Sequence, residues 1–216
     1  MKEYAVIVRN IMKGEHDMEL KGSKTEKNLQ NAFAGESQAR NRYTMYAGIA
    51  RKQGYPLVGD VFDYTAEQER MHAKVFFKYL AEEFNGEEIE IDASYPVDLY
   101  QEETIKNLLA SVAAESHEHE EVYPTFAKIA KEEGFNKIST TFSLIAKIEE
   151  VHSKRFAKLA KELEEDTMFK KATPVAWECQ VCGHIHYGVS APAICPVCQH
   201  QKGYFSIPSE EFIPQN

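Results

Sequence analysis

The chain has 216 residues, of which 43% are hydrophobic and 27% charged, as in a globular protein with one medium domain and a small appendage. Its formal net charge of -9 argues against a nucleic-acid partner, and no apolar run is long enough to span a bilayer. The apolar run at 5–8 is too short for the core of a signal peptide, so we expect a cytoplasmic protein without a membrane partner.

The first half of the chain predicts two helices that follow an extension. Residues 1–22 are predicted to form an N-terminal extension with no clear pattern. A capping-box pattern at 23–26 begins the first helix, and Gly54 ends it. Pro56 begins the second helix, which we expect to end near Phe84. The two helices therefore form a hairpin with a very short turn.

A polar stretch at 85–100 separates this hairpin from two further helices, and we interpret it as a long crossover connection. The third helix is predicted over about 101–133, with a kink at Pro124, where the helix loses a backbone hydrogen bond. The fourth helix is predicted over about 136–164. Together these helices predict a four-helix bundle over residues 23–165.

Two of the helices carry a Glu-x-x-His pattern on an otherwise apolar face, and each of the other two carries one lone inward Glu. Burying such groups unpaired is costly, so most Glu residues in helices lie on faces exposed to solvent. The alternative interpretation is therefore that these Glu and His residues lie on solvated helix faces. Four carboxylates would neutralise two divalent ions, and this donor set in a four-helix bundle is typical of a di-metal site. The six predicted ligands are Glu36, Glu69, His72, Glu115, Glu149 and His152.

An internal repeat relates the two helix pairs. Residues 49–55 resemble residues 129–135, and residues 72–76 resemble residues 152–156. The lone Glu precedes the Glu of the Glu-x-x-His pattern by 33 positions in the first pair and by 34 positions in the second. The repeat predicts that two equivalent half-sites meet about a pseudo-twofold axis.

Three more side chains are candidates at this site. Glu118 lies three positions after Glu115 and would be a fifth carboxylate, able to bind one metal ion when its charge rises; a rim position fits the spacing equally well. Tyr43 and Tyr123 are placed to donate a hydrogen bond to a ligand carboxylate or to bound peroxide. Core packing with a locally satisfied hydroxyl is the alternative for both tyrosines.

After a polar linker at 166–175, residues 176–216 are rich in Cys, Gly, Pro and aromatic residues and predict a second, small domain. Its cysteines form two Cys-x-x-Cys pairs separated by 12 residues, which suits a tetrahedral site for zinc or a single iron. Pro196, Gly183 and the nearby aromatic residues favour iron, and an iron closed by four thiolates would transfer electrons. The predicted ligands are Cys179, Cys182, Cys195 and Cys198.

The motifs at 21–28, 32–43 and 67–74, together with the two cysteine pairs, resemble those of rubrerythrins over about residues 20–207. The resemblance implies a mainly α protein: a ferritin-like four-helix bundle with a small C-terminal rubredoxin-like metal-binding domain. It implies a di-iron centre in the bundle and one mononuclear iron at the four cysteines. It also adds Glu118 to the six bundle ligands.

For function, the resemblance implies reduction of hydrogen peroxide to water and protection against oxidative stress. Electrons would come from NAD(P)H through a separate reductase or rubredoxin and then through the cysteine iron. Glu118 and His72 would be alternative ligands of one iron, and Tyr43 and Tyr123 would support the ligand carboxylates.

The linker is short for the cysteine iron to reach the middle of its own bundle. The resemblance implies a homodimer, in which the cysteine iron of one chain lies near the di-iron site of the other. The crossover also permits the exchange of helix pairs between chains. One alternative function on the same bundle is a ferroxidase or iron-storage protein, which the appended cysteine domain argues against. A structural zinc-ribbon adaptor is the second alternative.

Overall fold

Four helical stretches make up most of the chain, which in this computed structural model is described for residues 19–209. The first two stretches form one hairpin and the last two form another, and the two hairpins pack into a ferritin-like bundle. The predicted extension at 1–22 lies largely outside the described residues. The bounds are α1 (Lys24–Lys52), α2 (Pro56–Phe84), α3 (Thr104–His117), a π-helical segment (Glu118–Val122), α4 (Tyr123–Glu132) and α5 (Asn136–Glu164).

The ends of the first hairpin follow the sequence signals. The Ser23 hydroxyl accepts a hydrogen bond of 3.0 Å from the backbone N–H of Glu26, which caps α1. Gly54 adopts a left-handed conformation with φ of +84°, which a residue with a side chain rarely adopts. Pro56 is the first residue of α2, where its missing N–H leaves no hydrogen bond unmade.

The third helical stretch differs from the prediction in its start and in the nature of its irregularity. It begins at Thr104, and the irregular turn is the π-helical segment, which lies just before Pro124. Pro124 follows this segment as the second residue of α4. A π turn takes one residue more than an α turn. Eight positions therefore separate Glu115 from Tyr123, whereas seven separate Glu36 from Tyr43.

The crossover between the hairpins contains no helix or strand from residue 87 to residue 103, and polar contacts fix it against the bundle. Arg42 Nη1 lies 2.8 Å from Asp98 Oδ1, with both side chains largely buried. The Tyr46 hydroxyl donates to the same carboxylate at 2.9 Å. The side chain of Asn107 holds the backbone of Tyr100 through two hydrogen bonds.

The apolar core of the bundle is divided into two clusters. Phe76 and Phe142 are fully buried in one cluster, with ring centroids 5.1 Å apart. Phe62 and Phe156 are fully buried in the other, also with centroids 5.1 Å apart. The predicted metal ligands lie in the middle of their helices, so they fall between two apolar layers that exclude water from the bundle interior.

The C-terminal domain is a three-stranded antiparallel sheet, and its first strand, β1 (Lys170–Cys179), lies in the centre between the other two. The buried Trp177 and two of the cysteines form its small core. Strand β1 begins inside the predicted linker 166–175, so the ordered domain starts earlier than we predicted. The strands are β1 (Lys170–Cys179), β2 (Ile185–Ser190) and β3 (Phe205–Ser206), with a short 3₁₀ helix (Lys202–Tyr204) before β3.

This domain contacts the turn between α1 and α2. A Cβ atom added to Gly203 would lie 2.2 Å from the Gly54 carbonyl oxygen, so the two backbones touch at this point. The rings of Tyr55 and Phe169 are parallel, with centroids 6.3 Å apart. The small domain is therefore attached at one end of the bundle. Within residues 19–209, no helix has both the length and the apolar character needed to cross a membrane.

Candidate metal centres

The six predicted bundle ligands come together in two overlapping groups. Donor atoms of Glu36, Glu69, His72 and Glu149 lie within 4.8 Å of one another, and so do those of Glu69, Glu115, Glu149 and His152. All six side chains are buried, and His72 is the most exposed of them at 7%. The two groups share Glu69 and Glu149, so each group has one histidine and one terminal carboxylate of its own.

The two shared carboxylates face both histidines. Glu69 turns Oε2 to His72 Nδ1 at 2.9 Å and Oε1 to His152 Nδ1 at 3.0 Å. Glu149 does the same, with Oε1 at 3.0 Å from His72 and Oε2 at 2.8 Å from His152. The imidazole rings are nearly parallel, with centroids 5.9 Å apart. This arrangement has the pseudo-twofold symmetry that the sequence repeat predicts.

Several polar atoms of these side chains approach one another to 2.8–3.0 Å, but their geometry does not form hydrogen bonds, so they are left without partners. Buried polar groups normally find partners, and a cluster of orphaned donors and acceptors needs an explanation. Carboxylate oxygens and imidazole nitrogens are ligands for iron, so two bound ions would satisfy them. The orphaned atoms are Glu36 Oε2, both oxygens of Glu69 and of Glu149, Glu115 Oε2, and Nδ1 of His72 and of His152.

Without metal, the cluster holds protons. Burial and the charge of Glu149 raise the pKa of Glu36 well above its ordinary value. Burial and the charge of Glu69 raise the pKa of Glu115 to about 8. Burial alone would lower the pKa of His152, but the carboxylates around it outweigh burial and raise its pKa to about 12. Metal ions would therefore replace protons at this site.

Each candidate tyrosine hydroxyl donates a hydrogen bond to a ligand of the opposite hairpin. The Tyr43 hydroxyl donates to Glu115, and the Tyr123 hydroxyl donates to Glu36. Burial, reinforced by the nearby carboxylates, raises the pKa of both tyrosines well above the ordinary value, so both keep their protons. Both rings also lie in the apolar clusters, so packing and hydrogen bonding are combined.

Glu118 lies beside the cluster but outside both groups of donor atoms. It belongs to the π-helical segment, and a Cβ atom added to Gly35 would lie 3.9 Å from its Oε1. Burial, with the charge of Glu36, raises the pKa of Glu118 well above the ordinary value. A cavity of about 840 Å³ between α1, the crossover and α3 is lined in part by Glu118 and Tyr123. The ligand role of Glu118 stays a prediction.

Two residues at the site were not predicted from the sequence. Gln68 Oε1 lies 3.0 Å from His152 Nε2, and Arg155 donates to the same oxygen at 3.0 Å. The sequence contains one sign that Gln68 is unusual. When the two halves of the repeat are aligned on their metal ligands, Ile148 of the second hairpin stands at the position of Gln68 in the first.

The four cysteines also converge, and none of them forms a disulfide. Their Sγ atoms lie within 4.8 Å of one another, and each of two cross pairs is 3.6 Å apart. Burial would raise the pKa of Cys195, but backbone N–H groups of Cys198 and Val197 outweigh it and lower the pKa to about 6. The thiolate character of Cys195 and the four-sulfur arrangement fit one tetrahedral metal ion.

Comparisons with known proteins cover both parts of the chain. The family model described as rubrerythrin matches residues 27–173, and the model described as the rubredoxin-like domain of rubrerythrin matches residues 177–206. Rubrerythrin-1 of Clostridium acetobutylicum is 49% identical over 89% of this chain and 98% of its own length. The rubrerythrin of Nitratidesulfovibrio vulgaris is 47% identical over 87% of this chain and 96% of its own length.

A solved structure gives the same result for the fold. Nigerythrin in its fully reduced, all-ferrous state matches with a TM-score of 0.57 at 28% sequence identity. The match covers 90% of this chain and 94% of that protein. The similarity therefore includes the helical bundle and the cysteine domain together.

Proposed function

We propose, from the premise that the chain belongs to the rubrerythrin family, that it is a non-haem di-iron peroxidase reducing hydrogen peroxide to water. The family is one of di-iron oxidative-stress proteins. The bundle carries the carboxylate and histidine residues of a di-iron site, and the small domain carries the cysteines of a mononuclear iron site, as in rubrerythrins. The observation that carries the proposal is the double group of orphaned buried donors sharing Glu69 and Glu149.

The proposed ligand assignment follows the two groups. Glu69 and Glu149 would bridge two ions, because each turns one oxygen toward each histidine. Glu36 and His72 complete one ion, and Glu115 and His152 complete the other. Glu118 and His72 are the proposed alternative ligands of the first ion. Two ferrous ions, when bound, supply the two electrons that reduction of the peroxide O–O bond requires.

The protein side chains supply and hold protons. Reducing one hydrogen peroxide to two waters consumes two electrons and two protons. Burial and the charge of Glu36 raise the pKa of Glu118, which favours its protonated form, and Glu118 borders the cavity of about 840 Å³ through which peroxide would enter. Tyr43 and Tyr123 orient the terminal carboxylates by donating to them. The two apolar layers exclude bulk water around these groups.

The four cysteines are the proposed entry point for electrons, accepted one at a time from a rubredoxin or an NAD(P)H-dependent reductase. Thiolates that bind iron must stay reduced, which fits the cytoplasm. Replacing Cys198 with serine should abolish NAD(P)H-linked turnover, while a single oxidation of the pre-reduced di-iron site by peroxide continues. Linked turnover at the wild-type rate in this variant would refute the relay.

Distances along the bundle support electron delivery between chains of a homodimer. The cysteine domain contacts the chain near Gly54, and Pro56 is 13 residues from Glu69. At 1.5 Å per residue, this contact lies about 20 Å from the metal ligands along α2. In contrast, the ring of His72 lines an open cleft of about 400 Å³ on the side of the bundle. A short route from a partner to the metal site therefore exists at this cleft.

The surfaces that would meet are apolar. Met71 and Ile148 line the His72 cleft and are exposed, and Val151 is exposed one turn beyond. Val181 and Val197 are exposed within the two cysteine pairs, and burying such side chains between chains is favourable. We therefore place the cysteine domain of a second copy on this cleft. The same surface contact is compatible with exchange of helix pairs through the crossover.

Mixed dimers test cross-chain delivery. A chain with Cys198→Ser cannot deliver electrons, and a chain with Glu115→Ala and Glu149→Ala lacks its di-iron site. Each homodimer should be inactive in NAD(P)H-linked turnover, whereas dissociating and reassembling a mixture should restore activity. A mixture that stays inactive, with dimer exchange confirmed by mass, would contradict the proposal.

Metal content separates the peroxidase from its alternatives. Purified protein should hold three irons per chain and should lose its red colour with dithionite and regain it with peroxide. Accumulation of many irons per chain on addition of Fe(II) and peroxide would instead indicate storage. A colourless protein with zinc at the cysteines would indicate the adaptor.

A further inference from the structure

The two halves of the bundle site are symmetric in their ligands but not in the groups that hold the ligands. His152 Nε2 lies 3.0 Å from Gln68 Oε1. Arg155 Nη1 donates to that oxygen at 3.0 Å and to Thr65 Oγ1 at 2.9 Å. The guanidinium of Arg155 also lies over the Tyr64 ring, 5.1 Å from its centroid. Gln68 and Arg155 therefore connect α2 to α5 directly behind His152.

These contacts decide which nitrogen of His152 carries the hydrogen. Arginine has only donors, so the Gln68 atom that it contacts is the amide oxygen, an acceptor. A ring nitrogen facing that acceptor must donate, so Nε2 of His152 carries the hydrogen. When metal displaces the proton of the other nitrogen, the lone pair becomes free on Nδ1, which faces Glu69, Glu115 and Glu149. The ring is held in the tautomer and orientation that metal binding through Nδ1 requires.

The other half lacks this support. The repeat aligns His72 with His152, and in that alignment Ile148 stands in the place of Gln68 and Val75 in the place of Arg155. Neither aliphatic side chain can accept a hydrogen bond. Across residues 19–209 we find no hydrogen bond from His72 Nε2, and the ring shares its open cleft with Ile148.

We propose that Gln68, fixed by Arg155, is a positioning residue that locks His152 for metal binding, and that Ile148 leaves His72 without such a lock. The inference rests on the proposed di-iron function and explains why His72, and not His152, is the histidine able to leave. One bundle ion is then held firmly and the other loosely. The asymmetry is set by the residue immediately before each bridging glutamate.

Exchanging the two residues tests the proposal. Full-length protein is loaded with Fe(II) without oxygen, and iron retained against a ferrous chelator is measured for each variant. Gln68→Ile should weaken the more tightly held bundle iron about 10–100-fold, the range typical for loss of such a partner. Gln68→Glu keeps an acceptor oxygen for both His152 and Arg155, so this variant should retain that iron. Ile148→Gln should tighten the more weakly held iron, because His72 gains an acceptor.

The cysteine iron in the same molecule is the internal control for folding and loading. Its retention should be equal in all variants. Any one of three results would overturn the inference. They are wild-type iron affinities in Gln68→Ile, an equal loss of iron affinity in Gln68→Glu and Gln68→Ile, and an unchanged affinity for the weakly held iron in Ile148→Gln. Failure of the proposed function would be distinct, because the iron-loaded wild type would then not reduce peroxide, whatever the iron retention of the variants.

Discussion

Replacing Tyr123 with phenylalanine removes one hydroxyl and little volume from the metal site. The hydroxyl donates to Glu36, and the pKa of Tyr123 lies well above its ordinary value because of burial and the nearby carboxylates. The hydroxyl therefore stays protonated across the working pH range, so removing it should lower iron affinity at any pH at which iron binds.

The expected magnitude follows from the charge of Glu36 in the two states. With metal bound, Glu36 is ionised, and a hydrogen bond to a charged group contributes about 1.5–3 kcal/mol. Without metal, burial and Glu149 raise the pKa of Glu36, which favours the neutral group, and a neutral hydrogen bond contributes only about 0.5–1.5 kcal/mol. The difference of about 1–1.5 kcal/mol corresponds to a loss of about tenfold in iron affinity.

The assay is competition with a ferrous chelator at neutral pH, together with thermal unfolding of the iron-loaded and metal-free proteins. Tyr46→Phe is the matched control, because this equally buried side chain donates its hydroxyl hydrogen to Asp98 and not to a ligand. It should lower stability without changing iron affinity. Equal iron affinities for Tyr123→Phe, Tyr46→Phe and the wild type would refute the reasoning.

Three further predictions concern protons, packing and domain contact. Iron affinity should fall more steeply as the pH drops below about 8, because Glu115 then adds a proton to those that metal must displace; an unchanged slope through pH 8 would contradict this. Phe142→Ala should lower the free energy of unfolding by about 3–5 kcal/mol, measured with denaturant, because the ring is fully buried. Gly203→Ala adds a Cβ atom that clashes with the Gly54 carbonyl oxygen, so it should separate the small domain from the α1–α2 turn and expose the segment 165–169 to protease. Gly48→Ala is the control, because its Cβ meets no described atom within 4 Å, and it should not have this effect.

The π-helical segment shows how a sequence signal can be present and still be misinterpreted. A proline inside a helical pattern predicts a kink at the proline, and we placed the irregularity there. The spacings of 33 and 34 in the repeat, and of seven and eight between glutamate and tyrosine, already indicated one extra residue between Glu115 and Tyr123. The extra residue is accommodated as a π turn, which keeps Tyr123 on the inward face.

The sequence by itself determined the helices, the six bundle donors and the four cysteines. These features are local: helical periodicity, capping residues and short motifs act within a few turns of one chain segment. The repeat extended this to the pseudo-twofold symmetry of the site, since equal local patterns fold into equal hairpins.

Only the tertiary structure decided which groups meet across the hairpins. Glu69 and Glu149 are each shared between the two groups of donors, Tyr43 and Tyr123 each donate to the opposite hairpin, and Gln68 supports His152. These pairings join residues 72 to 87 positions apart. They depend on how far each packed helix is rotated and shifted along its axis. A change of about an ångström in that packing alters which side chains meet, and no local sequence pattern specifies it. The contact of Gly203 with the α1–α2 turn is of the same kind.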